Sequence, residues 1–155
     1  MDDQDRFYMG VALDEAQKAY RLGEVPIGAV VVRHGEIIGR GHNMREKWND
    51  PTAHAEMIAI REACEQAGGW RLTESALYVT IEPCPMCAGA MVLARLPRLV
   101  YGARDPKGGA VDSLFDLVRR EELNHRVEVT AGILEEECRA IMQKFFQELR
   151  GASNK

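Results

Sequence analysis

A chain of 155 residues, 46% hydrophobic and 28% charged, has the length and composition of one globular domain, so residues 1–155 are expected to fold as a single unit. Its formal net charge of −4 excludes a basic body built to coat nucleic acid, although residues 95–126 carry seven Lys or Arg against five Asp or Glu. The longest apolar stretch, residues 87–94, is far short of the roughly 20 that cross a bilayer, and the opening Met1-Asp2-Asp3-Gln4-Asp5 is too acidic for a secretory signal, so a cytoplasmic protein without a membrane partner is expected.

Met9, Leu13, Ala16 and Tyr20 recur at helical spacing and predict a helix over residues 5–22. The β-branched run at residues 27–32 predicts a strand, and His34-Gly35 a tight turn into a second strand over residues 36–41. A helix over residues 53–66 is expected next, stopped by Gly68-Gly69. A third strand over residues 76–80 delivers the chain to Cys84, and a helix opening at Pro85 runs to about residue 95. Residues 99–101 and 127–129 read as the fourth and fifth strands, with a short helix over residues 113–118 between them. A connection of that length suits a parallel crossover, where a hairpin would need far less. An amphipathic helix over residues 134–150 ends the pattern. Together these predict an α/β protein, a three-layer α/β/α domain around a five-stranded mixed sheet.

Two short runs carry the chemistry: Thr52-Ala53-His54-Ala55-Glu56 and Glu82-Pro83-Cys84-Pro85-Met86-Cys87. One imidazole and two thiols suit zinc, so His54, Cys84 and Cys87 are expected to hold one Zn2+ per chain. A structural site would want a fourth protein ligand; three leave a position open for water, and Glu56 reads as the carboxylate beside that water. Cys84 and Cys87, three apart, point to one side at a helix start. Pro85 fits the first helical position and leaves Cys84 near the N-cap, where the positive helix end favours thiolates. His54 and Glu56, two apart, converge only if the metal lies beyond a helix end, with Asp50 or Thr52 as the cap. Two helix N-termini should therefore face one metal. Taken singly, the Cys-x-x-Cys reads as half a structural knuckle, His54 as a helix-start histidine and Glu56 as a solvated first-turn carboxylate. Taken together they match the H-x-E and P-C-x-x-C pattern of zinc deaminases. Without a secretion signal, Cys64 and Cys138 read as packed thiols. His34 is expected in solvent, and His42 is assigned no role.

Over nearly its whole length the chain resembles the bacterial tRNA-specific (wobble) adenosine deaminases of the zinc cytidine/deoxycytidylate deaminase superfamily. The matching runs are residues 50–56 and 82–91, Gly102-Ala103-Arg104-Asp105, Asn124-His125-Arg126-Val127 and Gly132-Ile133-Leu134. The metal motif marks only the superfamily; the Gly-Ala-Arg-Asp and Asn-His-Arg-Val segments point to this branch. The resemblance implies a cytidine deaminase-like fold, conversion of adenosine to inosine at the wobble position with release of ammonia, Glu56 as the proton shuttle, a tRNA anticodon stem-loop as partner, and a homodimer. It implies that Asn43 holds the nucleoside, that the Ala55 amide contacts the base, and that Val25 and Pro26 pack near it. Arg104, Asp105, Lys107, Asn124, His125, Phe145 and Arg150 should lie along the RNA loop. On the residues alone, Asn43 reads equally as a turn amide, Phe145 and Phe146 as core, and Arg104 and Lys107 as solvated side chains. Met44 departs from the basic residue that relatives often carry after the asparagine.

The helix opening at Pro85 is apolar all round (Met86, Ala88, Ala90, Met91, Val92, Leu93, Ala94), so a cover beyond the sheet is expected, and a second subunit fits. Two other functions fit parts of the pattern. A small-molecule deaminase acting on guanine, cytosine or a free nucleoside shares the zinc site and is opposed only by the flanking segments. A non-catalytic zinc-stabilised interaction module is opposed by the missing fourth ligand and by Glu56.

Overall fold

The computed structural model describes residues 2–153; Met1, Asn154 and Lys155, which the single-domain expectation included, lie outside the described residues. In chain order the elements are α1 (Asp2–Arg21), β1 (Gly28–Arg33), β2 (Glu36–His42), α2 (Arg45–Trp48), α3 (Ala55–Ala67), β3 (Ser75–Ile81), α4 (Pro85–Leu93), β4 (Arg98–Ala103), β5 (Glu128–Ala131) and α5 (Glu135–Ser153).

Alternation along the strands builds two cores. Val31, Leu77, Val79, Leu99 and Tyr101 face α3 and α4, while Val30, Val32, Tyr78 and Val100 face α1 and α5. The sheet order is β2-β1-β3-β4-β5. β1 runs antiparallel to β2 and β3, whereas β3, β4 and β5 run parallel. This is the expected three-layer arrangement, including the parallel fifth strand. The hairpin turn is also as expected: His34 and Gly35 both have positive φ, 51° and 75°, the backbone a two-residue turn needs to match the twist of its strands.

Four expectations change. The buried face of α1 is Met9, Ala12, Ala16 and Ala19, all fully buried, while Leu13 and Tyr20 are only half-buried. Small side chains bring the helix backbone close to the sheet and leave the larger ones at its margins. The helix expected at residues 113–118 is absent. The amides of Val111, Asp112 and Ser113 donate instead to the buried Glu82 carboxylate, and those of Leu114 and Leu117 to Gly109 and Ala110. The four-residue α2 was not anticipated; Glu24, 1% exposed, accepts its Glu46 and Lys47 amides at 3.1 and 2.7 Å. Finally, neither Asp50 nor Thr52 caps α3. Asp50 Oδ1 accepts both the amide and the hydroxyl of Thr52, closing a local turn, and His54 occupies the N-cap. Among the described residues no helix is long and apolar enough to cross a membrane.

Candidate active site

Two helix starts meet at the C-terminal end of β3. His54 is the N-cap of α3, with extended backbone (φ −84°, ψ 152°), and Cys84 is the N-cap of α4 (φ −75°, ψ 173°), with Pro85 in the first turn. Because His54 stands just outside its helix and Glu56 inside the first turn, the two side chains converge although they are only two residues apart. Cys87 follows one turn into α4. His54 Nδ1 lies 3.6 Å from Cys84 Sγ and 3.6 Å from Cys87 Sγ. All three donor atoms fall within 4.8 Å of one another. A tetrahedral zinc with Zn–N and Zn–S bonds of about 2.0 and 2.3 Å has N-to-S edges of about 3.6 Å, so these residues fit the ion.

The electrostatics suit a cation. The Cys84 thiol is held down at about 4, chiefly by the hydrogen bond from Cys87, with burial opposing and His54 adding to the effect. Cys87 is pushed up by the same bond and by burial. His54 is raised by its bond to Cys84 against the opposing effect of burial. Glu56, 4% exposed, is pushed up to about 7 by burial, with a backbone hydrogen bond opposing and the Cys84 charge acting in the same direction as burial.

These groups form the floor of an open cleft of about 860 Å³. Val25, Asn43, His54, Glu56, Cys84, Arg104, Asp105, Lys107 and Arg150, all predicted from sequence, line it together. Cys87 is buried beneath. Asn43, 4% exposed, accepts the Ala55 amide on Oδ1 at 2.8 Å, so the side chain expected to hold the nucleoside also tethers the start of α3. Ala55 itself is fully buried, and Pro26 is buried beside Val25. Asp105 Oδ1 accepts the Lys107 and Gly108 amides, shaping its own turn. Neither Pro26 nor Ala55 lines the cleft, and the Ala55 amide, expected at the base, is taken by Asn43. Three further predicted residues lie off the cleft. Phe145 sits edge-on between Tyr20 and Phe146, with ring centroids 6.2 and 5.3 Å away, and Phe146 lines the cleft in its place. Asn124 is exposed on the crossover, and His125 Nε2 lies 2.6 Å from the Leu96 carbonyl oxygen.

Sequence reasoning missed Arg45 and Glu82, both at the cleft. Arg45 arrives on α2. Together with Arg104, Lys107 and Arg150 it forms an exposed basic rim, and none of the four makes an ion pair among the described residues. By contrast Arg139, also at the cleft, is paired with Glu135 and Glu136. Glu82 is 3% exposed and saturated with hydrogen bonds from Ser113 and from the amides of Asp105, Val111, Asp112 and Ser113. Burial disfavours its charge, but those donors outweigh burial and keep the carboxyl below its usual range. A carboxylate ending an apolar strand was the available signal, since a buried charge demands partners.

The family model for MafB19-like deaminases matches residues 1–150. A tRNA-specific adenosine deaminase of Bacillus subtilis (strain 168) is 56% identical over 147 residues, covering 95% of this chain and 91% of its own. A solved structure described for A-to-I editing by tRNA:A34 deaminases at the wobble position of transfer RNA superposes with a TM-score of 0.84 at 48% identity, covering 87% of this chain and 98% of its own. A guanine deaminase from Nitrosomonas europaea superposes with a TM-score of 0.75 at 25% identity, covering 90% of this chain and 83% of its own.

Proposed function

The chain belongs to the tRNA-specific adenosine deaminases among the MafB19-like deaminases, and from that premise we propose that it uses one zinc ion to convert adenosine to inosine at the wobble position of a tRNA anticodon, releasing ammonia. The observation that carries this reading is the His54, Cys84 and Cys87 donor cluster beside a buried Glu56, on the floor of a cleft whose rim holds four cations with no ion-pair partner among the described residues. His54 Nδ1 and the two thiolates would hold the ion. When bound, zinc lowers the pKa of water from 15.7 to about 7 and so supplies a nucleophile at neutral pH.

The chain's own groups do the rest. Glu56 takes a proton from the attacking water and delivers it to N1 of the adenine as C6 becomes tetrahedral. It then carries the remaining proton to the departing 6-amino group, so that water and adenosine leave as inosine and ammonia. Its burial keeps bulk water from competing for those protons. Asn43 and Val25 orient the nucleoside, with Pro26 and the start of α3 at Ala55 shaping the wall behind them. Arg45, Arg104, Lys107 and Arg150 take the backbone phosphates on either side of a flipped nucleotide, and Asp105 shapes the turn that carries Lys107. Phe145 backs Phe146 at the mouth. Asn124 and His125, away from the cleft, would reach RNA only beyond that nucleotide.

We also propose a homodimer working in the cytoplasm on the tRNA pool. Along α4 the chain buries Cys87, Ala88, Met91 and Val92 but leaves Met86, Gly89 and Ala90 partly open and Leu93 70% exposed, a stripe at helical spacing that a second copy would cover.

A small-molecule reading has one observation in its favour, the likeness to the guanine deaminase. A free-base enzyme closes over its substrate, whereas an RNA enzyme needs an open cleft with cations at its rim. The test is to incubate zinc-loaded protein with an anticodon stem-loop RNA and, separately, with free adenosine, guanine and cytosine, reading inosine and ammonia. Inosine in the stem-loop with the free compounds nearly untouched is expected. Ready consumption of a free base with the stem-loop intact would replace this reading.

A further inference from the structure

We propose that the buried Glu82 carboxylate is a positioning residue: it clamps the loop carrying Arg104 and Lys107 onto the segment that enters the metal centre, and so presets the grip on the RNA backbone. The inference rests on the tRNA reading above for its effect on affinity, but not for the clamp itself.

Glu82 stands two residues before Cys84. Its Oε1 accepts the Asp105 amide at 3.0 Å and the Ser113 hydroxyl. Its Oε2 accepts the amides of Val111, Asp112 and Ser113 at 3.1, 2.7 and 2.9 Å. The neighbouring backbone joins in: the Ala110 amide donates to the Pro83 carbonyl at 2.8 Å, and the Glu82 amide to that of Ala103 at 2.9 Å. One carboxylate thus gathers amides from both ends of an irregular loop that has no ladder of its own to satisfy them. Gly109 records how close the loop lies. A Cβ there would sit 2.3 Å from the Glu82 carboxyl carbon, so any side chain at that point would displace the carboxylate.

The placement has a consequence for binding. Arg104 and Lys107 have no ion-pair partner among the described residues to hold them over the cleft, so the backbone beneath them must do it. A loop that is already ordered spares RNA the cost of ordering it. If the clamped form fell to a tenth of the population, apparent affinity would fall about tenfold. The same carboxylate touches neither the donor cluster nor Glu56, so the chemical step should be spared.

The experiment is Glu82→Gln, which keeps the shape but turns an N–H toward amides that need an acceptor. Zinc content, amide hydrogen exchange and single-turnover deamination of an anticodon stem-loop are compared with wild type. Expected are faster exchange at Asp105, Val111, Asp112 and Ser113 with α3 unchanged, full zinc, a half-saturating RNA concentration raised about tenfold, and a maximal rate within about twofold of wild type. Unchanged exchange overturns the clamp. Unchanged half-saturation, or a fall in maximal rate alone, overturns its link to RNA grip. If wild type leaves the stem-loop unreacted, the tRNA reading falls and the affinity claim with it, while exchange still decides the clamp. Should Glu82→Gln fail to fold, Gly109→Ala, which crowds the intact carboxylate, must raise half-saturation in the same way; wild-type behaviour there overturns the proposal.

Discussion

Glu56 is the residue on which the proposed chemistry turns. It lies beside the donor cluster yet supplies none of the cluster's atoms, so removing it should leave the ion in place. Glu56→Ala is expected to keep about one zinc per chain while turnover falls on the order of 10²–10⁴-fold, checked by metal analysis alongside inosine formation. Near-normal turnover would remove the proton shuttle. Cys84 behaves in the opposite way. As the N-cap of α4 it would join the proposed metal to the helix start, so Cys84→Ala should lose the ion and lower the melting temperature, because metal binding energy would then be folding energy. Full zinc occupancy in that variant would exclude Cys84 as a ligand. The candidate donors were legible because only certain spacings bring an imidazole and two thiols to one ion. The Asn43 bond to the Ala55 amide was not, because it joins residues 12 apart whose meeting depends on how β2 packs against α3.

At the level of elements, helix-to-sheet distance decides where the site sits. Gly41 on β2 faces α3 so closely that a Cβ would lie 2.3 Å from the Ala55 carbonyl oxygen and 2.8 Å from the Ala59 nitrogen. Gly41→Ala must push α3 away, at a cost of about 1–3 kcal/mol, and His54 moves with it. A lower melting temperature together with weaker zinc retention in a chelator titration is expected; lost stability with wild-type zinc affinity would show that the helix start is held independently. On the opposite face, Asp5 ties α1 to the sheet. It takes a two-pronged bond from Arg98 at 2.9 and 2.8 Å and the Tyr78 hydroxyl at 2.7 Å, and is 4% exposed. The Arg98 bond lowers its pKa below 3.8, burial opposes, and Tyr78 adds to the lowering. A depressed folded pKa means that this stabilisation is complete above the unfolded value and disappears as pH falls through the folded one. Asp5→Asn should therefore unfold at lower urea than wild type near about pH 7, with the gap narrowing below about pH 4. A gap that stays constant into acid would show that charge is not what Asp5 contributes. The β-branched run of β1, the helical spacing of α1 and the apolar run of α4 announced these layers in advance. The register of the alanine face of α1 was not announced, since Leu13 and Tyr20 weigh more in any hydrophobic pattern than the alanines that make the contact.

For the whole molecule, the partly open face of α4 is the feature that matters most. The exposed stripe ending at Leu93 is too apolar to face water without reason, and Leu114 and Phe115, 51% and 55% exposed on the crossover, are apolar surface as well. Leu93→Glu should give a monomer by light scattering at micromolar concentration, where wild type is expected to give a dimer. A monomeric wild type would end the dimer proposal.

Local physics was enough for much of this protein. Ligand spacing, Pro85 at a helix start, the His34-Gly35 turn and the crossover length each constrain a few neighbouring residues, so composition and spacing carried the mixed five-stranded sheet, its parallel crossover and the candidate donor set, but not the strand order. The tertiary structure alone decided the rest. It made Glu24 and Glu82 buried anchors of loops, put turns bonded to Gly109 and Ala110 where a helix was expected, and gathered Arg45, Arg104, Lys107 and Arg150 at one rim. The reason is that a buried carboxylate or an unpaired cation is defined by groups far away in the chain, and no local pattern records which of those groups the fold will bring to it.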